Sequence, residues 1–336
     1  MNRNEMVAYL LSKADIHPVI IDIGASGAPP KIWEDIARHS IYVGFDPDLR
    51  EIREISNGLF YKASIINKAV TSEEGVNETH FYLTNSPYCS STLRPDAESL
   101  ANFLYSDLFI VQSECTVPAT TLDSVINQLC LPRVDWFKTD SQGIDLRLFK
   151  SMRDPIRTRV LAVDIEPGLI DAYVGEDLFV ESHRYLTENG FWLSNLDVKG
   201  AVRMRKSTLR ELSASGKVIS AELVERSVKR SPGWCEARYL KTLQALHQYG
   251  HNASDYVMLW VFTMMDNQLG FALDLAAEYE KVFGKDDISQ VMIDEPISRI
   301  VKTGRSRGLY TMLKSFLPFP VKQRVDRLLR AINRND

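Results

Sequence analysis

Short apolar runs alternate with amphipathic stretches over the first two thirds of the chain. Val19-Ile20-Ile21-Asp22-Ile23 is nearly continuous in apolar, mostly β-branched residues and stops at Gly24. A run apolar on both faces is what a buried parallel strand needs, because helices cover both sides of such a sheet. Ile41-Tyr42-Val43-Gly44-Phe45 repeats the pattern and stops at Asp46-Pro47. Further strands are expected at 65–70, 81–83, 134–139, 159–165 and 191–193. Helices are expected at 4–13, with His17-Pro18 as the breaker, at 31–39, from Thr121, at 145–150 and at 181–188. Asn189-Gly190 is a stop signal for the last of these.

This alternation predicts an α/β fold: a doubly wound, mostly parallel sheet with right-handed crossovers and helices on both faces. Ligands of such sheets bind beyond the carboxyl ends of the strands, so polar residues at those ends carry the chemistry. Past about Gly200 the strand signals fade and helical periodicity takes over, through Leu240, Leu243 and Leu246 and then 258–275. The expected organisation is an N-terminal helix over 1–18, a Rossmann-like domain over 19–200 and a helical region over 201–336.

Four clusters follow strand ends. In Asp22-Ile23-Gly24-Ala25-Ser26-Gly27, the glycines let the backbone turn sharply and approach a ligand closely. The spacing is not GxGxxG, and in Ala28-Pro29-Pro30 the prolines lack the amide donors a pyrophosphate would use. A ligand without phosphates fits better, and S-adenosylmethionine is one; a tight turn with no ligand is the alternative. Asp46 follows, about 20 residues past the glycines, where a carboxylate can accept both ribose hydroxyls of an adenosine. Taken alone, Asp46-Pro47 would only start a turn. The third cluster runs from Asp135 to Asp145 and puts Asp140 at a strand's carboxyl end, over the ligand crevice. Asp140 and Ser141 also suit a helix cap, with Asp145 in the first turn countering the dipole. In the fourth, Asp164-Ile165-Glu166-Pro167-Gly168, alternation puts Asp164 and Glu166 on one side of a strand, with Glu166 at its end. Charges buried in a parallel sheet are costly without a partner. Salt bridges to Lys138 or Arg159 would explain them structurally, and a part in the chemistry is the other account.

Taken in order, these segments resemble the FkbM-type methyltransferases. The resemblance rests on Ile21-Asp22-Ile23-Gly24-Ala25, on Gly44-Phe45-Asp46-Pro47, and on Asn85 with Ser90-Ser91-Thr92. Val117-Pro118 followed by Thr121-Leu122-Asp123-Ser124 also matches, as do Glu166 and Gly190-Phe191. Most telling is Phe137-Lys138-Thr139-Asp140-Ser141-Gln142-Gly143-Ile144-Asp145. The resemblance covers roughly 19–196. It implies a class I methyltransferase fold and O-methylation of a sugar, glycan or natural-product hydroxyl. Asp22, Gly24, Ala25, Ser26 and Gly27 would then bind the methionine end of S-adenosylmethionine, and Asp46 its ribose. A hydroxyl nucleophile held in line benefits from a general base, and Asp140 and Glu166 are the candidate catalytic residues. Two departures stand out. The family usually has Glu where Asp46 stands, so the carboxylate's reach is shorter here. It often has Val and Glu where Ser141 and Gln142 stand, so any role of a carboxylate at position 142 is lost. Magnesium takes oxygen donors and is compatible with these acids, but it is not favoured and no residue is assigned to a metal.

Composition narrows the field further. With 336 residues, 45% hydrophobic and 25% charged, the chain suits a soluble globular protein whose core needs no disulfide or metal staple. A formal net charge of −4 makes no case for nucleic acid. Cys89, Cys115, Cys130 and Cys235 form no CxxC pair, 1–15 does not read as a signal peptide, and no apolar run approaches the roughly 20 residues of a bilayer span. A cytoplasmic protein with reduced thiols is expected. Charge is uneven, however: from Val301 onward basic residues exceed acidic ones by about seven. There Val321, Val325, Leu328, Leu329 and Ile332 form an apolar stripe, with Lys322, Arg327, Arg330 and Arg334 mostly off it. Such a helix suits peripheral docking on an anionic membrane, a second subunit of a homodimer, or the chain's own acidic domain. His80 and His183 are weak candidates as bases, and Tyr249-Gly250 ends the helix that would pair His247 with His251. An NAD oxidoreductase is disfavoured by the glycine spacing. A non-catalytic binding or scaffold protein that retains the fold is the remaining alternative.

Overall fold

A computed structural model of the chain describes residues 3–47, 58–217 and 220–315. It divides into two compact units, Met1–Asn267 and Gln268–Asp336. The described strands, in chain order, are β1 (Val19–Ile23), β2 (Ile41–Phe45), β3 (Lys62–Ile66), β4 (Ala69–Val70) and β5 (Glu78–Thr84), then β6 (Val111–Thr120), β7 (Trp136–Thr139), β8 (Ala162–Ile165), β9 (Phe191–Ala201) and β10 (Ser231–Lys241). Seven of them form one sheet in the order β3-β2-β1-β7-β8-β10-β9, and β4, β6 and β5 form a second, three-stranded sheet. In the large sheet β3 through β8 pair in parallel, while β10 runs antiparallel to both β8 and β9.

Both faces of the large sheet are covered, which is why β1 is buried at every position. One face packs Ile21, Val43, Phe137 and Val163 against Leu122, Ile126, Leu148 and Phe149 of the crossover helices. On the other, Trp136 meets Trp33 edge-on at 6.0 Å and Phe262 at 4.8 Å. Phe262 lies on the helix Ala253–Met265, whose residues from Asp255 to Met265 are all buried. A helix apolar all round needs cover on every side. In the second unit, the helices Leu269–Phe283 and Asp287–Ser315 flank Gly284, whose φ of 89° ends the first of them.

Several expectations need correction. The single strand expected at 65–70 is two, β3 and β4, which belong to different sheets. The helix expected at 31–39 is a pair of short 3-10 turns, Lys31–Asp35 and Ala37–His39. The strand expected at 191–193 continues to Ala201. The helical region expected from 201 holds β10, which inserts between β8 and β9, so the large sheet reaches Lys241. The strand signal of β10 is masked by charges that are satisfied inside. Arg238 donates to Asp164 at 2.8 and 3.0 Å and to Asp266 at 2.9 Å. Arg238 is therefore the partner of Asp164, whereas Lys138 pairs with Asp22 and Arg159 with Asp255. The four cysteines form no disulfide. Among the described residues no helix is long and apolar enough to cross a membrane. The stripe from Val321 to Ile332 and its basic flank lie outside the described residues.

Lys241 closes β10 at the rim opposite the carboxyl ends. It is 1% exposed, with its ammonium 3.6 Å from the Phe191 ring centre and 5.4 Å from that of Tyr249. Burial pushes its pKa down to about 7, against about 10.4 in an unfolded chain. Between those values the folded protein binds fewer protons than the unfolded one, so stability rises with pH and is lost on the way down. Lys241→Met is expected to flatten this rise and to raise the urea midpoint at pH 7. A variant that keeps the wild-type slope between those two pKa values would show that Lys241 is not its source.

Candidate functional site

The carboxyl ends of four neighbouring strands stop in register. Ile23 pairs with Phe45 on one side and Thr139 on the other, and Thr139 pairs with Ile165. The next residue in each case is Gly24, Asp46, Asp140 and Glu166, so these four form one row along the rim. The row spans the point where strand order reverses, with β2 and β3 on one side of β1 and β7 and β8 on the other. Open α/β sheets leave a crevice there.

Local bonding explains the row. Gly24 has φ +74°, and a Cβ on it would overlap the Asp140 carbonyl oxygen. The Gly24 and Ala25 amides both donate to the Phe45 carbonyl, at 2.9 and 3.0 Å, which ties the glycine loop to the end of β2. These two amides are thus spent inside the protein, and contact with a ligand falls to the rest of the loop. Ser26 there is exposed, and Gly27 (φ +74°) has nothing within 4 Å of a would-be Cβ. Asp46 is 8% exposed; its amide donates to Ile66 at 3.3 Å, and its carbonyl accepts from the Asn67 side chain at 2.9 Å. The amide of Asp140 donates to Ile23 at 3.0 Å.

Asp22 stands one layer below the row. It is buried and accepts from Lys138 Nζ at 2.7 Å and from the Tyr42 hydroxyl at 2.8 Å. Burial works against the Lys138 charge, but Asp22 and then Asp140 outweigh it and hold its pKa above the usual lysine range. Burial, followed by the Asp22 charge, pushes the Tyr42 hydroxyl far up. Asp22 is therefore a structural anchor for the rim, and the structure does not bring its carboxylate into the row itself.

Asp140 and Glu166 are half-buried. Burial, then the charges of Asp140, Asp145 and Glu236 and a hydrogen bond with Asp140, push the Glu166 carboxyl well above its ordinary range. A carboxyl in that position holds a proton where an ordinary one would have lost it. Asp145, 1% exposed, is the residue that ties the two ends together. It accepts from Thr139 Oγ1 at 2.9 Å, from the Ser141 amide at 2.9 Å, from the Ser141 hydroxyl and from the Glu166 amide at 2.8 Å. Burial pushes its pKa up to about 6 against those bonds.

Residues given no role by the sequence complete the site, two of them, Ser91 and Gln142, within segments that carry the resemblance. Gln142 (φ +57°) donates Nε2–H to Asp140 Oδ1 at 2.5 Å, and its carbonyl accepts from Ser91 Oγ at 2.6 Å. The Tyr173 hydroxyl lies 2.9 Å from Gln142 Oε1 and 3.0 Å from the Cys89 carbonyl. Glu176 folds the segment after β8 by accepting from the Ala172 and Tyr173 amides at 3.1 and 2.8 Å. Burial pushes its carboxyl up to about 7. The other sequence signal for these partners was the density of polar residues around 85–92 and 140–145. The histidines stand elsewhere: His80 pairs with Glu114 at 3.1 Å, His183 meets the Tyr239 hydroxyl at 3.2 Å, and His251 meets Asp255 at 3.0 Å. Among the described residues, no group of three His, Cys, Asp or Glu side chains is placed to hold a metal ion.

The glycine assignment has a measurable consequence. Gly24→Ala is expected to cost about 1–2 kcal/mol for left-handed backbone alone, with more from displacing Asp140. Gly27→Ala has the same φ but open space, and about 1–2 kcal/mol is expected. Equal losses in urea unfolding would show that the close approach of Asp140 adds nothing.

Two solved structures to which the chain is distantly similar are described as methyltransferases. One is a precorrin-6y C5,15-methyltransferase from Geobacter metallireducens GS-15, 11% identical over 70% of this chain and 88% of that one, with a TM-score of 0.30. The other is a 1,6-didemethyltoxoflavin-N1-methyltransferase from Burkholderia thailandensis with bound 1,6-didemethyltoxoflavin and S-adenosylhomocysteine. It is 12% identical over 71% of this chain and 78% of that one, with a TM-score of 0.27. With scores this low, the fold rests on the strand order itself. No curated protein sequence matches the chain. The methyltransferase FkbM domain matches residues 25–193, half of the chain. That span runs from the glycine loop through β9's first residues and includes Asp46, Asp140 and Glu166, and the chain belongs to the FkbM methyltransferase domain family.

Proposed function

We propose that this protein transfers a methyl group from S-adenosylmethionine to a hydroxyl of a sugar, glycan or related natural product. The observation that carries this is the row Gly24, Asp46, Asp140 and Glu166, set in register beside the switch point of the sheet. The residues present suit that cofactor. Gly24 leaves no side chain between the β1 and β7 ends, Gly27 leaves open space, and Pro29 and Pro30 offer no amide to a phosphate. Asp46, buried at the end of β2, would accept the ribose hydroxyls. When bound, S-adenosylmethionine supplies an electrophilic methyl on a positively charged sulfur.

The chain's own contribution is placement and proton transfer. An acceptor hydroxyl must sit in line and lose its proton as its oxygen bonds to carbon. In this reading Asp140 takes that proton, with Glu166 as the adjacent acid. Aromatic rings run outward from there: Tyr173 to Phe109 at 5.7 Å, Phe109 to Tyr105 at 5.3 Å, and Tyr105 to Trp234 at 6.4 Å. The half-buried rings among them, Tyr105, Phe109 and Trp234, would offer apolar faces to a sugar ring.

Titration calorimetry with S-adenosylmethionine, S-adenosylhomocysteine and NAD tests the cofactor. Uptake of the first two and none of NAD is expected. Asp46→Ala is expected to lower affinity by about 2–4 kcal/mol, from losing a charged acceptor of two hydroxyls. Normal binding by that variant would sink the ribose assignment. Absence of uptake by the wild type would favour a scaffold that merely retains the fold.

A further inference from the structure

Gln142 sits on the rim in a conformation that costs free energy. Its φ of +57° is left-handed, which a non-glycine residue adopts only when its surroundings hold it there. Three contacts do so. Ser91 Oγ donates to its carbonyl at 2.6 Å, the Tyr173 hydroxyl faces its side-chain Oε1 at 2.9 Å, and its Nε2–H reaches Asp140 Oδ1 at 2.5 Å. Tyr173 is 4% exposed, and its ring packs on Phe109, so the anchor itself is fixed. The amide orientation follows from these partners. A carboxylate can only accept, so the NH2 end must face Asp140, and the oxygen end then faces the Tyr173 hydroxyl, whose one proton is shared between Gln142 Oε1 and the Cys89 carbonyl.

We propose that Gln142 is a positioning residue for methyl transfer: its side-chain amide, clamped by Tyr173, presents one N–H to Asp140 and holds that carboxylate in the orientation that takes the acceptor's proton. This rests on the methyl-transfer assignment above. A donor aimed at one oxygen of a carboxylate fixes the direction in which the group points. The other groups facing Asp140 come from every element around it: Lys138 on β7, Asp145 on the following helix, Glu166 after β8, Tyr173 on the next loop and Cys89 on the loop after β5. Cys235 and Glu236 of β10 lie beside Glu166. Among these neighbours, Lys138 is already engaged by Asp22 at 2.7 Å, which leaves a directional contribution for an uncharged donor. In the assigned step the O–H bond of the acceptor breaks, its electron pair stays on oxygen to form the new bond to the methyl carbon, and the proton moves to Asp140, while the methyl–sulfur bond of a bound S-adenosylmethionine would break with its pair left on sulfur as S-adenosylhomocysteine departs.

The test uses the full-length protein without any acceptor. In side-chain amide NMR spectra, one Gln142 Nε2 proton of the wild type is expected far downfield, as a short bond to a carboxylate requires, and Tyr173→Phe should move it back. The Glu166 carboxyl, followed by carbon-13 titration, is expected to gain about tenfold in proton affinity in Gln142→Glu, because the isosteric change replaces a donor with one more carboxylate. A Gln142 amide at the position of an exposed glutamine overturns the proposal, and so does a Glu166 titration unchanged in Gln142→Glu. Should Gln142→Glu fail to fold, the wild-type and Tyr173→Phe amide spectra decide it alone. Calorimetry of the wild type with S-adenosylhomocysteine separates the two levels: no binding would sink the methyl-transfer assignment while leaving the amide–carboxylate bond as measured.

Discussion

The ends of β1 and β7 pass so close that even a methyl group has no room between Gly24 and the Asp140 carbonyl. The rest of the rim depends on this approach. The Asp140 amide is bonded back to Ile23, and the Gly24 and Ala25 amides are bonded to Phe45, so three strand ends are laced through main-chain atoms alone. Side chains that follow those ends are therefore placed by backbone geometry, which is stiffer than any rotamer. A larger residue at Gly24 would disturb the glycine loop and the Asp140 carboxylate together.

Charge is sorted along the same rim. Asp22 is neutralised below it by Lys138, and Asp164 by Arg238. Glu166 instead faces burial and three other carboxylates, Asp140, Asp145 and Glu236. Crowding by like charge raises the proton affinity of Glu166, whereas Asp164, two residues earlier, has a guanidinium against it. Strand alternation explains why they share a side. Their different partners explain why they do not share a role.

The sequence made the parallel half of the sheet legible, because β1, β2, β7 and β8 are buried on both faces and read as apolar runs. The same runs located the rim, since Gly24, Asp46, Asp140 and Glu166 each follow such a run by one residue. What escaped notice was structure whose residues look polar. β6 is largely exposed, and β10 carries Arg238 and Lys241 into the interior, one held by acids and the other by aromatic rings. Periodicity registers hydrophobicity and is blind to charges satisfied across 28 or 74 residues of chain. The pairing of Gln142 with Tyr173 is illegible for a related reason, although Gln142 itself stands out as a departure from the family pattern. Their contact spans 31 residues and depends on a left-handed backbone that no local pattern announces.

Asp145 carries a consequence for how such a protein can diversify. Its single carboxylate receives main-chain N–H groups from both Ser141 and Glu166, so the two loops bearing the rim acids are riveted to one buried point. Neither loop can be remodelled for a new acceptor without loosening the other. The three-stranded sheet of β4, β6 and β5 meets the rim at other points, through the segment after β5, where Ser91 donates to Gln142 and the Cys89 carbonyl accepts from Tyr173. Substitutions in that outer module away from Ser91 and Cys89 can accordingly accumulate while the rim keeps its shape.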